Sequence, residues 1–242
     1  MINRSKYLIV SFLMAFFTKI IGEFIHEVMG HGFFVLFFGG KIVHIHLSIL
    51  WPYELSYIGW SGNFMHWQQA WIAGGGILVC LIVSGVLQAL LLFKMIKDWR
   101  LSTMLLWLAF WTFINPTGYL IIGGVMPFGD IVSLIEFGVI TQLSSLLVGL
   151  IIFFVSFLSL SKILIIQLTI NNLVKNIKEL RLSLALFWTT IPIITAMACL
   201  GMRLPIHYLQ IFMILSLIPL LEAFLASNFL QLNNLANNSN HK

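Results

Sequence analysis

Long apolar runs separated by short basic groups are the feature of this sequence that most restricts its fold. A helix needs ~20 residues to cross a bilayer, and six runs approach that length, at about 7–38, 70–93, 101–114 with a possible extension, 131–160, 184–200 and 206–227. With 60% hydrophobic and 9% charged residues, the 242-residue chain has too little polar surface for a soluble globule. The sequence therefore predicts an all-α polytopic membrane protein with about six transmembrane helices.

The basic residues between these runs predict how the bundle is oriented. A cytoplasmic N-terminus places most of them on the cytoplasmic side, namely Arg4, Lys6, Lys94, Lys97, Arg100, Lys162, Lys175, Lys178, Arg181 and Lys242. Only Lys41 and Arg203 would lie outside. This asymmetry predicts an integral, multi-pass membrane protein whose two termini are cytoplasmic. Because the basic residues form no continuous surface, we expect the lipid bilayer, and not nucleic acid, as the partner.

The predicted domain organisation follows the same runs. Residues 1–160 form a membrane core, residues 161–183 a cytoplasmic loop, residues 184–230 additional transmembrane helices, and residues 231–242 an Asn-rich disordered tail. After the first run, Lys41 to Ser48 alternates in the manner of a strand, and Tyr53 to Trp60 could be its return with Trp51-Pro52 at the turn. A small interfacial β-hairpin is therefore expected after the first helix.

An ionisable cluster lies inside the first apolar run, where charged groups are costly. His26 and Glu27 are followed by His31 about one helical turn later. In zinc hydrolases, imidazoles in this pattern hold the metal and the Glu activates the attacking water. We therefore predict Zn²⁺ as the cofactor, His26 and His31 as ligands and Glu27 as the catalytic carboxylate. The alternative is that the two histidines are satisfied by backbone or neighbouring helices.

The spacing of the two histidines makes a structural demand. Residues five apart on a regular α-helix lie about 140° apart, whereas residues four apart lie within about 40°. A local π-bulge, in which bonds run from residue i to i+5, would return both imidazoles to one face. The sequence Met29-Gly30 is the natural position for it.

A third ligand must come from elsewhere, because catalytic zinc usually has three protein ligands. Asp130 is the strongest candidate, since it follows an irregular, glycine-bearing stretch that ends in Pro127-Phe128-Gly129. Broken backbone of this kind is tolerated at membrane depth where it lines a cavity. The alternative for Asp130 is a plain helix cap. Glu23 could orient a ligand imidazole from behind or line a water-filled entrance.

In the order of these elements, the chain resembles the site-2 protease family of intramembrane zinc metalloproteases. The resemblance covers about residues 7–150 and is carried by His26–Gly32, Phe38–Ile42, Ala73–Gly76, Asn115-Pro116 and Pro127–Asp130. Two features depart from the family pattern. Three residues instead of two separate Glu27 from His31, a spacing similar to that of the soluble dipeptidyl peptidase III enzymes, and the interval from Asn115 to Asp130 is longer than in the family.

The resemblance implies a function and roles for individual residues. The protein would be a zinc metalloendopeptidase with residues 1–160 as its core, and its substrate would be a transmembrane segment of another protein. His26, His31 and Asp130 would hold zinc, Glu27 would be catalytic, and Asn115 would orient the substrate. The hairpin would present the substrate as an added strand.

Two other functional classes stay open at this point. Glu23-Phe24-Ile25-His26 matches a Glu-x-x-His di-iron motif of a membrane oxygenase or desaturase, although the sequence has no second copy. A non-catalytic membrane scaffold or transporter is the other alternative. Metal content separates the three classes, because one zinc favours the protease, two irons the oxygenase, and no metal the scaffold.

Overall fold

Four long helices dominate the computed structural model, which describes residues 4–47 and 56–192, together with residues 194, 221, 224, 225 and 228. Each of the four is long and apolar enough to cross a membrane. The first runs from Arg4 to Phe37 and consists of α1 (Arg4–Phe24), a π-helical segment (Ile25–Gly32) and α2 (Phe33–Phe37). The others are α3 (His66–Leu92), α4 (Trp99–Val125) and α6 (Gln142–Ile170).

A two-stranded antiparallel sheet follows the first helix and confirms the expected hairpin. β1 (Lys41–His46) pairs with β2 (Tyr57–Ser61), with Ile45 opposite Ile58. A bulge interrupts the register between Ile42 and His44. The predicted turn at Trp51-Pro52 lies outside the described residues.

The third apolar run has the possible extension that the sequence allowed, because α4 continues past Asn115-Pro116 to Val125. Pro116 has no N–H to donate, so it removes one bond from the helix. Within a helix of this kind, threonine hydroxyls can bond the backbone carbonyls near a proline. The Thr117 hydroxyl donates to the Phe113 carbonyl at 2.8 Å, and Pro116 itself is buried between neighbouring helices.

The apolar run predicted at 131–160 divides into two helices. The short helix α5 (Asp130–Glu136) begins at Asp130, as expected, and ends before Gly138, whose φ of +70° favours glycine. α6 begins after Thr141, whose hydroxyl accepts from the Ser144 backbone N–H.

The boundaries that follow differ from the prediction. The boundary predicted at 160/161 falls within α6, and α7 (Ile177–Ala185) occupies part of the predicted 161–183 loop. Of the run predicted at 184–200, the structure describes the residues up to 192 and residue 194. A short π-helical stretch covers Leu186–Thr190 in this part. Most of the run at 206–227 and all of the predicted tail lie outside the described residues.

α4 lies at the centre of the bundle and packs against α1, α3 and α6. Large aromatic side chains fill the core around it, namely Trp107, Phe110, Phe113, Phe153, Phe157, Phe187 and Trp188. The outward faces of α1, α3 and α6 are also apolar, with exposed side chains such as Ile9, Leu13, Ile82, Val86, Ile151 and Val155. A bundle that is apolar both inside and outside is suited to a membrane.

Candidate metal centre

The π-helical segment Ile25–Gly32 brings the two imidazoles to one face of the first helix. The Nε2 atoms of His26 and His31 lie 3.3 Å apart, and both residues are buried. A π-turn accommodates about one residue more than an α-turn, so side chains five apart become neighbours. The predicted bulge around Met29-Gly30 is thereby confirmed.

Glycines on α3 allow this segment to pack by direct backbone contact. A Cβ on Gly30 would lie 2.4 Å from the Gly76 Cα, and a Cβ on Gly76 would lie 2.7 Å from the Nε2 atoms of both His26 and His31. The Gly75-Gly76 part of α3 therefore forms a close contact with the first helix. Gly76 also keeps open the space that the two imidazole nitrogens face.

Asp130, at the start of α5, completes the cluster. Its Oδ2 atom lies 3.2 Å from His26 Nε2 and 3.4 Å from His31 Nε2. Gly129 precedes it with a φ of +55°, and a Cβ there would lie 2.6 Å from the Tyr119 ring. Gly129 occupies the N-cap position of α5, and the Asp130 carboxylate faces the imidazoles, so the plain-cap alternative for Asp130 is wrong. The predicted approach of Asp130 to both histidines is confirmed.

The three side chains have the spacing and chemistry of a metal site. Zinc bonds of roughly 2 Å in a tetrahedral arrangement place neighbouring ligand atoms about 3.3 Å apart. The observed separations are 3.2, 3.3 and 3.4 Å. Two imidazoles and one carboxylate are also a ligand set of catalytic zinc sites. The group of His26, His31 and Asp130 could therefore hold a metal ion.

Hydrogen bonding behind the imidazoles favours ligation through Nε2. His31 Nδ1 lies 2.6 Å from the Ile72 carbonyl oxygen, to which it must donate its N–H. With a metal ion bound, the imidazole of His31 would be neutral with its single N–H on Nδ1, so Nε2 would be the ligand atom. His26 is held less firmly, with Nδ1 3.9 Å from Cys80 Sγ and its ring stacked on Tyr119 at 5.4 Å.

The charge of Asp130, which lies outside the four long helices, suits a cation. Burial acts to raise the pKa of its carboxyl group, but the hydrogen bonds and charges of His26 and His31 outweigh burial and hold the pKa below its ordinary range. Asp130 is therefore an anion that faces two imidazole nitrogens.

A cavity of about 670 Å³ adjoins the cluster, and Glu27 lines it together with His31 and Asp130. The Glu27 carboxylate is buried and makes no hydrogen bond within the described residues. Its lining also includes Tyr57, Ile58, Trp60 and Ser61 of β2, a strand that is paired in the described part of the chain only with β1. The cavity therefore places a carboxylate, a candidate metal site and a strand around one space.

Two other predicted site residues have different surroundings. Glu23 forms an ion pair with Lys19, with 3.0 Å between Oε1 and Nζ, and its predicted pairing with a ligand imidazole is not found among the described residues. Asn115 is half-buried in α4 and does not line the cavity, so its substrate-orienting role stays a prediction.

Three contributors to the site were missed at the level of sequence. The Ile72 carbonyl and the Cys80 thiol lie behind the imidazoles, and Tyr119 stacks between His26 and Phe128. A backbone carbonyl leaves no signal in the residue type. Tyr119, one helical turn after Asn115, could have been noticed as a polar aromatic side chain in an apolar helix.

No family model, curated protein or solved structure matches this chain. The likeness to site-2 proteases therefore depends on the motifs and their order in the chain.

Proposed function

We propose that this protein is an intramembrane zinc metalloprotease that hydrolyses peptide bonds in or near transmembrane segments. The observation that supports this best is the convergence of His26, His31 and Asp130 at tetrahedral spacing, with Glu27 beside them, at a helix apolar enough to cross a membrane. Zinc held by the three side chains would acidify a water molecule and polarise a peptide carbonyl.

Glu27 performs the proton transfers in this proposal. Its carboxylate lines the cavity and has no hydrogen-bond partner within the described residues, so its oxygens are available to the attacking water. Glu27 accepts a proton from that water and later donates it to the leaving amine. The reaction needs a proton acceptor at this position, because the apolar surroundings of Glu27 provide few others.

The second part of the proposal is that β2 holds the substrate. A peptide bond within a helix is hydrogen-bonded and shielded, so the substrate must unwind before it is cut. An extended segment added to β2 would form main-chain hydrogen bonds with that strand and place its backbone in the cavity. Tyr57 and Trp60 would then contact the side chains of the substrate.

Metal content and cleavage together test the proposal on detergent-purified protein. Glu27→Gln should keep zinc and the fold but lose cleavage of a membrane-embedded reporter, because an amide cannot accept the proton. His31→Ala should lose both zinc and cleavage. Wild-type cleavage by Glu27→Gln would contradict the mechanism, and stoichiometric zinc in His31→Ala would contradict the ligand assignment. Two irons per chain would favour an oxygenase.

The proposal includes a multi-pass topology with cytoplasmic termini, in which the metal centre lies towards the outer half of the membrane. The exposed connection between α3 and α4 carries Lys94 and Lys97, which supports a cytoplasmic position. In intact cells, an impermeant thiol reagent should fail to label Lys97→Cys and should label Lys41→Cys, which lies on the exposed hairpin. The reverse pattern would invert the topology.

A further inference from the structure

A largely buried ion pair lies in the first helix, on the N-terminal side of the metal centre. Lys19 Nζ and Glu23 Oε1 are 3.0 Å apart, and their side chains are only 9% and 18% exposed. Charged groups inside an apolar helix are costly, so a pair that is kept there is a candidate for a functional role. Proton transfer by Glu27 and ligation by the three proposed ligands make no use of this pair.

The pair is aligned with the catalytic carboxylate. Lys19, Glu23 and Glu27 follow one another at intervals of four residues, which places them on one side of the helix, about 6 Å apart along its axis. The Lys19 ammonium and the carboxylates of Glu23 and Glu27 therefore form a row along the helix, and this row ends at the metal centre.

The helices α3 and α4, which pack against this row of side chains, offer no other charged residue at the level of Lys19, Glu23 and Glu27. α3 and α4 contain only one ionisable His, Lys, Arg, Asp or Glu residue each, His66 and Arg100, and both lie in the first turn of their helix. The ionisable side chains along the first helix next to the centre are therefore Lys19, Glu23 and Glu27, and α5 adds Asp130.

We propose that Lys19 and Glu23 set the charge balance beside the metal centre, because the Glu23 carboxylate offsets an ammonium that would otherwise repel a divalent cation on His26, His31 and Asp130. This inference deepens the proposed function and rests on it. Lys19 in turn offsets the charge of Glu23, so that the pair adds no net charge beside the centre. Neither residue contacts the ion, so both are positioning residues.

Single-charge variants should change zinc affinity in opposite directions. Glu23→Gln leaves the Lys19 ammonium unpaired near the ion and should weaken zinc binding by about tenfold or more, because unit charges still interact at such distances in a poorly solvated interior. Lys19→Met keeps the negative charge of Glu23 and should bind zinc at least as tightly as the wild type. The double variant Lys19→Met/Glu23→Gln restores the net charge and should bind within a few-fold of the wild type.

Zinc titration of the purified full-length variants, with thermal unfolding recorded in parallel, tests this directly. Gln88→Leu is the matched control, since it removes a buried hydrogen bond to Ser84 on α3 without changing charge, and it should leave zinc affinity unchanged. If Lys19→Met does not fold, the comparison of Glu23→Gln with the double variant decides, because only restored charge predicts that the double variant binds more tightly.

The possible outcomes separate the two proposals. If the ion pair is purely structural, both single variants should weaken zinc binding equally, and that result would overturn the charge-balance inference alone. The same conclusion would follow if neither variant changed zinc binding while His31→Ala abolished it. A wild type that binds no zinc would overturn the metal centre, and the inference with it.

Discussion

The metal centre and the aromatic core of this protein are packed in opposite ways. At the metal centre, the π-helical segment meets α3 through backbone contacts between Gly30, Gly75 and Gly76. In the aromatic core, regular helices are held apart by large rings such as Phe110 of α4 and Phe157 of α6, whose centroids are 6.0 Å apart. One region therefore has no room for an added atom, and the other cannot easily lose one.

The strongest test of this contrast adds one methyl group at the metal centre. In Gly76→Ala the new Cβ would lie 2.7 Å from both imidazole Nε2 atoms, and His31 is held in place by its hydrogen bond to the Ile72 carbonyl, so zinc binding should be abolished. Gly85→Ala is the control, because it lies on the same helix with no heavy atom within 4 Å of the new Cβ. Zinc analysis of both purified variants gives the result, and a Gly76→Ala protein with full zinc would show that the centre has spare room.

A second test removes atoms from the aromatic core. Phe153→Ala, at a side chain only 2% exposed, should lower the free energy of unfolding by about 3–5 kcal/mol, since a buried ring leaves a cavity. The zinc affinity of the folded protein should stay the same. Phe154→Ala, at a neighbouring side chain that is 43% exposed, should cost much less. Equal losses in the two variants, measured by denaturation in detergent, would contradict the packing described above.

The smallest expected effect concerns the hydrogen bonds beside the aromatic core. The Gln167 amide donates to the Ser102 hydroxyl at 2.7 Å, and its carbonyl accepts from the Tyr7 hydroxyl at 3.4 Å, which links α6 to α4 and α1. Gln167→Leu should destabilise the protein by about 1 kcal/mol, because polar contacts between membrane helices are individually weak. Gln142→Leu, at the exposed start of α6, is the control. A loss larger than that of Phe153→Ala would reverse the ranking.

The contrast also explains which parts of the structure were predictable from sequence. His26, Glu27 and Asp130 could be identified because ionisable residues stand out in or beside apolar runs. The bulge followed from the five-residue interval to His31, since no regular helix brings both imidazoles to one ion. These are constraints that a few residues impose by themselves.

Other features depend on the surroundings of each residue and were missed or misplaced. A proline usually ends a helix, but α4 continues through Pro116, which is buried, while the Thr117 hydroxyl bonds the Phe113 carbonyl. The apolar run predicted at 131–160 includes Gly138, although the chain turns there to separate α5 from α6. The stacking of Tyr119 on His26 depends on how α4 lies against the first helix, and periodicity along one helix does not report that.

The extra residue of the His-Glu-x-x-x-His motif also has a consequence for the backbone. A π-turn holds about one residue more than an α-turn, so the segment Ile25–Gly32 takes up the extra residue and leaves the helix on either side of it in phase. Deleting Met29 would return the imidazoles to the usual four-residue interval, and a regular α-helix would then hold them on one face. α2 and the hairpin would keep their direction, and β2 would stay at the cavity. The longer motif and the usual shorter motif are therefore two backbone solutions to the same site, and one deletion should convert the first into the second.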